Sequence, residues 1–230
     1  MATIVVASRL GVLARVRLHL LSLVSDHAWK VSALATRMED QWRRRVAVFE
    51  EYEVAPGDVV MVGDSITEMT DWSQLLPGVA VHNQGIGGDD TDGLLRRVHL
   101  VTRGEPGKVF VMIGTNDLGK GVHPPEVIVD HAAQIIDAIR EQCPSTEVHL
   151  QSVLPRRRKR AAGVAAVNRG LEQVARERGV TWIDLHPLFD RGDGAIRPEY
   201  TVDALHLSPA GYAAWADAIS PYTRSSPAVD

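Results

Sequence analysis

The sequence has a single cysteine, Cys143, so no intrachain disulfide is possible and the fold cannot depend on one. Cys143 precedes Pro144 near the end of a predicted helix, a position that favours a partly buried, inert thiol over a catalytic one. Aromatic residues make up only 5% of the chain. The other values, 45% hydrophobic and 23% charged residues over 230 positions, fit one large α/β domain with a sizeable core.

Long uncharged apolar runs are absent as well. Residues 3–24 are rich in Val and Leu, but Arg9, Arg15 and Arg17 interrupt them. No run therefore approaches the roughly 18 apolar residues that indicate a membrane span. We expect no stable membrane insertion.

The same region contains two pieces of a signal-peptide pattern. Leu18 to Val24 could serve as a short apolar core, and residues 33–35 (ALA) resemble a cleavage site. Asp26 and Lys30 lie between the two, which favours a retained helical segment. The prediction is a cytoplasmic protein, with secretion left open.

An excess of positive charge is also missing. The chain has 25 Lys and Arg against 29 Asp and Glu, which gives a formal net charge of −4. General binding to nucleic acid requires a clustered excess of Lys and Arg, so no nucleic-acid partner is expected.

Beyond residue 57, short apolar runs alternate with longer stretches of helical spacing, which predicts βαβ units. The fold class is therefore α/β, with a parallel sheet of about five strands between layers of helices. We expect a helical segment over residues 1–52, packed on a single domain over residues 53–230. The predicted strands are Asp58–Gly63, Val79–Asn83, Lys108–Ile113, Glu147–Val153 and Val180–Leu185, and the clearest helices are Glu126–Gln142, Ala162–Arg178 and Ser208–Ile219.

In such sheets the chemistry lies at the carboxyl ends of the strands. Ser65 follows the first predicted strand and opens a helix in the sequence GDSIT, so its hydroxyl is expected at the rim of the sheet. Its N–H would lack an intrahelical partner and could stabilise an oxyanion. On this tripeptide alone, simple helix capping by Asp64 or Ser65 is the favoured explanation.

A glycine-rich loop, GIGGDD at residues 85–90, follows the second predicted strand. Its backbone amides could cradle a phosphate or an oxyanion, because glycine has no Cβ to obstruct the approach. The dinucleotide-binding pattern fails, since Asp90 stands where its third glycine belongs. A structural turn capped by Asp89 or Asp90 is the alternative.

Residues 114–121 (GTNDLGKG) follow the third predicted strand and nearly spell a phosphate-binding P-loop. Gly121 replaces the hydroxyl residue that would bind Mg²⁺, and Pro124 and Pro125 prevent the helix that a P-loop requires. Nucleotide binding is therefore disfavoured. Asn116 is more useful as a side-chain amide donor facing the site.

Two Asp/His pairs could supply a general base. Asp203 and His206 lie three residues apart just before the last predicted helix, and Asp184 and His186 lie two apart at a strand end. The residues favour the first pair only mildly. We expect no metal site, because no recognised ligand spacing occurs among the nine histidines.

Taken together, four blocks resemble those of the SGNH (GDSL-type) hydrolase superfamily. They are GDSIT at residues 63–67, NQGIGGD at 83–89, GTND at 114–117 and DALH at 203–206, in order over about two thirds of the chain. The segments NQGIGGDDT, VMIGTND and SVLPR are also similar to the intracellular platelet-activating-factor acetylhydrolase catalytic subunits and their bacterial relatives. The G-x-S-x-G elbow of α/β-hydrolases is absent.

The resemblance implies a flavodoxin-like three-layer α/β/α sandwich and a serine esterase. Ser65 would be the nucleophile, His206 the general base and Asp203 the residue that orients His206. The amides of Ser65 and Gly88 and the side chain of Asn116 would form the oxyanion hole. No cofactor and no metal are implied.

The expected substrate is a small-molecule ester with an acetyl or short acyl group, because no apolar insertion separates the blocks. Acyl transfer by the same triad is an alternative, and a phosphate- or nucleotide-binding module is a weaker one. A homodimer is the one assembly left open.

Two features depart from a compact esterase. The basic run Arg156–Arg160 (RRRKR) is more charged than expected, and a solvated surface loop is favoured over a site that recognises an anionic substrate. The leading segment could fold over the cleft as a lid.

Overall fold

The computed structural model describes residues 36–223. The signal-like pattern, the proposed lid and most of the predicted helical segment 1–52 lie outside these residues. The chain divides into two units, Met1–Arg44 and Arg45–Asp230. Residues 36–50 are helical (α1), and within the first unit Arg43 pairs with Glu39 one turn earlier.

A five-stranded sheet forms the centre of the second unit. Neighbouring strands pair in parallel in the order β2-β1-β3-β4-β5, which confirms the predicted parallel sheet. This order brings the loops after β1, β2 and β3 next to one another at the carboxyl edge. The strands are β1 (Val59–Gly63), β2 (Val81–Gly85), β3 (Lys108–Met112), β4 (Glu147–Gln151) and β5 (Thr181–Ile183).

Helices cover both faces of this sheet. Alternate residues of β1 and β3 enter two separate apolar clusters, one containing helices α4, α6 and α7 and the other α2, α3 and α9. The predicted three-layer sandwich is therefore confirmed. The helices after α1 are α2 (Ser65–Glu68), α3 (Trp72–Leu75), α4 (Thr91–Thr102), α5 (Thr115–Lys120), α6 (Pro125–Gln142), α7 (Ala161–Arg178), α8 (His186–Phe189) and α9 (Pro209–Thr223).

Strand β2 differs most from its prediction, since it begins and ends two residues later than expected. The later residues of β2 are polar, so a prediction based on apolar residues ends the strand at Asn83, two residues too early. The Asn83 side chain donates hydrogen bonds to the carbonyls of Thr67, Glu68 and Thr70 at 2.9–3.1 Å. These bonds satisfy a polar residue on an edge strand, and the strand continues to Gly85.

Two further sequence predictions concern the thiol of Cys143 and the lack of a membrane-spanning helix. Cys143 is buried and its Sγ lies 3.2 Å from the carbonyl of Thr102, while burial raises the pKa of the thiol and keeps it protonated. Within residues 36–223, no helix is both long and apolar enough to span a bilayer.

Candidate active site

Ser65 begins α2 immediately after β1. The side chain of Asp64 caps this short helix by accepting from the N–H of Ile66 at 2.9 Å. The capping alternative is thus realised by Asp64, and the Ser65 hydroxyl is left for another partner. A Cβ at Gly63 would lie 2.4 Å from the carbonyl oxygen of Met112, so the sharp exit from β1 requires glycine.

That partner is His206, whose Nε2 lies 3.0 Å from Ser65 Oγ although 141 residues separate the two. His206 Nδ1 lies 2.7 Å from Asp203 Oδ2. A carboxylate at Nδ1 favours the tautomer with its proton there, so Nε2 is left to accept from the serine hydroxyl. The three side chains form a continuous Ser–His–Asp chain.

Asp203 is held rigidly within its own loop. Its other carboxylate oxygen, Oδ1, accepts from the N–H groups of Leu205 and His206 at 2.9 and 2.7 Å. Partial burial would raise the pKa of Asp203, but the hydrogen bonds from the His206 ring and amide outweigh it and lower the pKa. Asp203 therefore stays ionised. The intervening Ala204 adopts φ +67°, a left-handed conformation that allows this tight turn.

The rival pair occupies a different position. His186 opens α8, where its N–H lies 3.2 Å from Asp184 Oδ1 and 2.8 Å from Ser152 Oγ. These contacts use the backbone of His186 rather than its ring. Among the described residues, it is Asp203 and His206, and not Asp184 and His186, that lie in line with Ser65.

Three potential oxyanion donors lie at or just after the ends of β1, β2 and β3. The N–H of Ser65 stands in the first turn of α2, and Gly88 adopts φ +79° in the loop after β2. Within residues 36–223 neither backbone N–H has a hydrogen-bond partner. Asn116 Nδ2 donates to the carbonyl of Asp89 at 2.8 Å, which orients the amide beside the Gly88 loop and leaves its second hydrogen available.

The P-loop-like segment is helical instead of wrapped around a phosphate. Residues 115–120 form α5, which starts after Gly114 and ends at Gly121, both with positive φ. The lysine of the motif, Lys120, donates to the carbonyl of Gly88 at 2.7 Å and pairs with Asp90 at 3.1 Å. Its charge therefore braces the glycine loop, and this arrangement argues against nucleotide binding.

An arginine that the sequence reading missed fixes this loop from inside. Arg97 of α4 is fully buried, and its Nε donates to Asp89 Oδ2 at 2.8 Å while Nη2 donates to the carbonyl of Gly63 at 3.1 Å. One guanidinium thus joins the glycine loop to the end of β1. The available signal was its place on the apolar face of α4, three residues after Leu94 and four before Val101.

Helix α9, near the C-terminal end of the described residues, contacts the helix that carries Ser65. The hydroxyl of Tyr212 donates to the carbonyl of Ile66 at 2.9 Å, next to the candidate nucleophile. Burial raises the pKa of this phenol, so it remains a donor.

Burial also raises the pKa of Asp64 to about 7, with the charge of Asp89 adding to the effect.

One group of described residues has ligand atoms close enough to hold a metal. They are Asp92, His123 and His131, whose candidate ligand atoms lie within 4.8 Å of one another. The Thr91 hydroxyl donates to Asp117 Oδ1 at 2.6 Å, so its oxygen accepts a hydrogen bond from the Nδ1–H of His131 at 2.9 Å. In this tautomer the lone pair of His131 lies on Nε2, so Nδ1 is not the atom that could coordinate a metal.

Comparison with known proteins shows the family of the chain. Residues 61–214 match the GDSL-like Lipase/Acylhydrolase family. The chain is 30% identical over 169 residues to the human platelet-activating factor acetylhydrolase IB subunit alpha1, covering 67% of this chain and 70% of that protein.

Two solved structures illustrate the fold likeness. One is assigned as a platelet activating factor from Streptococcus pneumoniae, with a TM-score of 0.79 and 26% identity over 86% of this chain and 99% of that one. The other is a GDSL-like lipase from Bacteroides thetaiotaomicron, with a TM-score of 0.69 and 21% identity over 79% and 96%. The chain belongs to the GDSL-like lipase/acylhydrolase family within the SGNH superfamily, and it is a hydrolytic enzyme.

Proposed function

We propose that the protein is a serine esterase that cleaves small-molecule acyl esters, with acetyl or short acyl groups, in the cytoplasm. The observation that carries the proposal is the chain of contacts from Ser65 Oγ to His206 Nε2 at 3.0 Å and from His206 Nδ1 to Asp203 at 2.7 Å. The family match supports ester hydrolysis as the reaction class.

The reaction begins with Ser65. Its Oγ attacks the ester carbonyl while His206 Nε2 takes the hydroxyl proton, and Asp203 stabilises the resulting imidazolium. The C=O bond becomes an oxyanion that accepts hydrogen bonds from the N–H groups of Ser65 and Gly88 and from the Asn116 amide. Collapse of this intermediate breaks the bond to the alcohol, which takes the proton from His206 and departs.

A water molecule then completes the cycle. His206 removes a proton from water, and the water oxygen attacks the acyl carbonyl on Ser65. The second tetrahedral intermediate carries an oxyanion that accepts hydrogen bonds from the same donors. Collapse releases the carboxylic acid and returns the proton to Ser65. Each step is an acid–base or nucleophilic step that these side chains supply.

The proposal is tested by labelling with a fluorophosphonate and by turnover of p-nitrophenyl acetate. Ser65→Ala and His206→Ala should each lose both signals. The matched control is His186→Ala, which removes the ring of the rival pair and should retain turnover near the wild-type rate. Turnover that survives in Ser65→Ala, or that is lost in His186→Ala and kept in His206→Ala, would contradict the assignment.

A further inference from the structure

A cavity of about 290 Å³ lies beside the loop that carries Asp203 and His206. One wall belongs to the basic run, for which a solvated surface loop was the favoured prediction. This wall is formed by Arg156, Arg157, Lys159 and Arg160. The other wall is formed by residues 203–205. Four cationic side chains therefore line a concave space adjoining the candidate triad.

The two inner arginines of this cavity are fixed in place. Arg156 Nη1 donates to the carbonyl of Thr115 at 2.5 Å, and Arg160 Nη2 donates to the carbonyl of Gly119 at 3.0 Å. A Cβ at residue 119 would lie 2.7 Å from Arg156 Nη1, so glycine there leaves room for the guanidinium. Both positive groups are thus held by neutral carbonyl oxygens.

No carboxylate neutralises these charges by direct pairing. Within the described part of the chain, none of the four cavity cations lies within 4.0 Å of a carboxylate oxygen. Asp203 lines the cavity, but its oxygens are committed to His206 and Leu205. Burial and then the neighbouring charge of Arg160 lower the pKa of Arg156, although Asp64 and Asp203 oppose this.

The cost of gathering like charges is relieved when an anion enters. Arginine presents a planar fork of donors that matches the oxygens of a carboxylate or a phosphate. The basic loop also leads into the N-terminus of α7, whose capping position is Arg160 with no side-chain acceptor. The positive end of this 18-residue helix therefore adds to the potential of the loop.

We propose that this cavity binds a carboxylate or phosphate on the alcohol portion of the substrate, so that the enzyme prefers anionic acyl esters. The alcohol is the portion that His206 must protonate, and Ala204 and Leu205 next to it form the cavity wall. This inference rests on the proposed esterase function and names the substrate class for that site.

The test compares four acetyl esters that differ in the charge of the leaving phenol. They are phenyl acetate, 3-acetoxybenzoate, 3-acetoxyphenyl phosphate and the cationic 3-acetoxy-N,N,N-trimethylanilinium. The wild-type enzyme should show the highest kcat/KM, after correction for intrinsic reactivity, for one or both anionic esters. The carboxylate and phosphate arms identify which anion the cavity takes. Rising NaCl should reduce the preference.

A double variant, Arg157→Gln/Lys159→Gln, removes the two exposed cavity cations and keeps the anchored arginines. It should lower kcat/KM for the preferred anionic ester about tenfold and leave that for phenyl acetate near wild type. The matched control is Arg158→Gln/Arg169→Gln, which makes the same charge change at exposed positions outside the cavity lining. This control should retain the preference.

Several outcomes would overturn the inference. Equal corrected kcat/KM values for phenyl acetate and both anionic esters would do so, as would equal losses in the double variant and its control. In either case, continued hydrolysis of phenyl acetate leaves the esterase proposal standing. Absence of all four activities would instead count against the esterase proposal itself.

Discussion

Arg97 and Asp89 form an ion pair in the interior, with 2.8 Å between Nε and Oδ2 and neither side chain more than 1% exposed. The same carboxylate residue offers its carbonyl to Asn116, and the same guanidinium reaches the carbonyl of Gly63. Residues at or just after the ends of β1, β2 and β3 are therefore joined through three side chains, those of Arg97, Asp89 and Asn116. The pair links packing in the core to the spacing of the proposed oxyanion donors.

Breaking this pair should be costly. Arg97→Met leaves the Asp89 carboxylate buried without its cation, and we expect a loss of about 3–5 kcal/mol in the free energy of unfolding, measured by urea titration. The double variant Arg97→Met/Asp89→Leu removes both charges and should recover part of that loss. A single variant as stable as wild type would show that the pair is unimportant.

Asn116→Ala should act on the transition state. We expect kcat for p-nitrophenyl acetate to fall about a hundredfold with little change in KM, because the amide donor is engaged chiefly when the oxyanion forms. Loss of the bond to the Asp89 carbonyl should cost about 1 kcal/mol of stability, so the melting temperature serves as the control. A change confined to KM would place Asn116 in ground-state binding instead.

The acyl chain should be short. Acetyl and butyryl p-nitrophenyl esters are expected to give a far higher kcat/KM than the palmitoyl ester. A fatty tail needs an extended apolar trough, and no apolar insertion separates the four sequence blocks to form one. A rate that climbs with chain length above the micellar threshold would refute this expectation.

Asp64 should make stability fall as pH rises. Its pKa of about 7 in the folded protein exceeds the ordinary aspartate pKa of 3.8 in the unfolded chain. The folded state therefore binds the proton more tightly, and it loses stability as pH rises from about 4 to about 7. Asp64→Asn keeps an acceptor for the N–H of Ile66 and removes the penalty. Above pH 7 the variant should be more stable, by about 4 kcal/mol at most. Equal stability differences at pH 4 and pH 8 would exclude the linkage.

His149 should act in the opposite direction. It is 3% exposed and stacks on Phe110 with ring centroids 4.4 Å apart. Among residues 36–223, neither ring nitrogen has a hydrogen-bond partner. Glu147 lies 3.8 Å away, too far for such a bond, and pairs with Lys108 instead. Burial, followed by the charge of Lys108, lowers the pKa of His149 to about 4.

Stability should therefore fall as pH drops from about 6.5 to about 4, because the unfolded chain takes up a proton that the folded histidine refuses. His149→Phe should remove this slope from a series of chemical denaturation curves. The exposed His99 provides the control, and His99→Gln should retain it. An unchanged slope in His149→Phe would contradict the assignment.

The sequence could indicate the candidate site because its parts follow strands in chain order. Parallel pairing places the ends of β1, β2 and β3 together, so Ser65, Gly88 and Asn116 could be expected to meet. The choice between His206 and His186 could not be settled from the residues alone. Both follow an aspartate by two or three positions, and only tertiary packing decides which ring reaches a serine far away in the chain.

The burial of Arg97 could not be predicted, for a different reason. A charged residue is ordinarily assigned to the solvent-exposed surface, and the adjacent Arg96 in α4 strengthens that assignment. Its burial depends on Asp89, which comes from another element, so the pair becomes visible only when both are placed. The polar end of β2 was not predicted for a similar reason. Asn83 is accommodated there by hydrogen bonds to carbonyls of residues 67–70, which belong to another part of the chain.

The bond from Tyr212 to the carbonyl of Ile66 spans 146 positions, and that from Ser65 to His206 spans 141. We expect such long-range contacts to form late in refolding, since loop entropy opposes them until the intervening chain is compact. If Ser65 is the nucleophile, its labelling by a fluorophosphonate should then follow completion of the whole domain. A chain truncated before residue 206 would contain all five strands and should not be labelled.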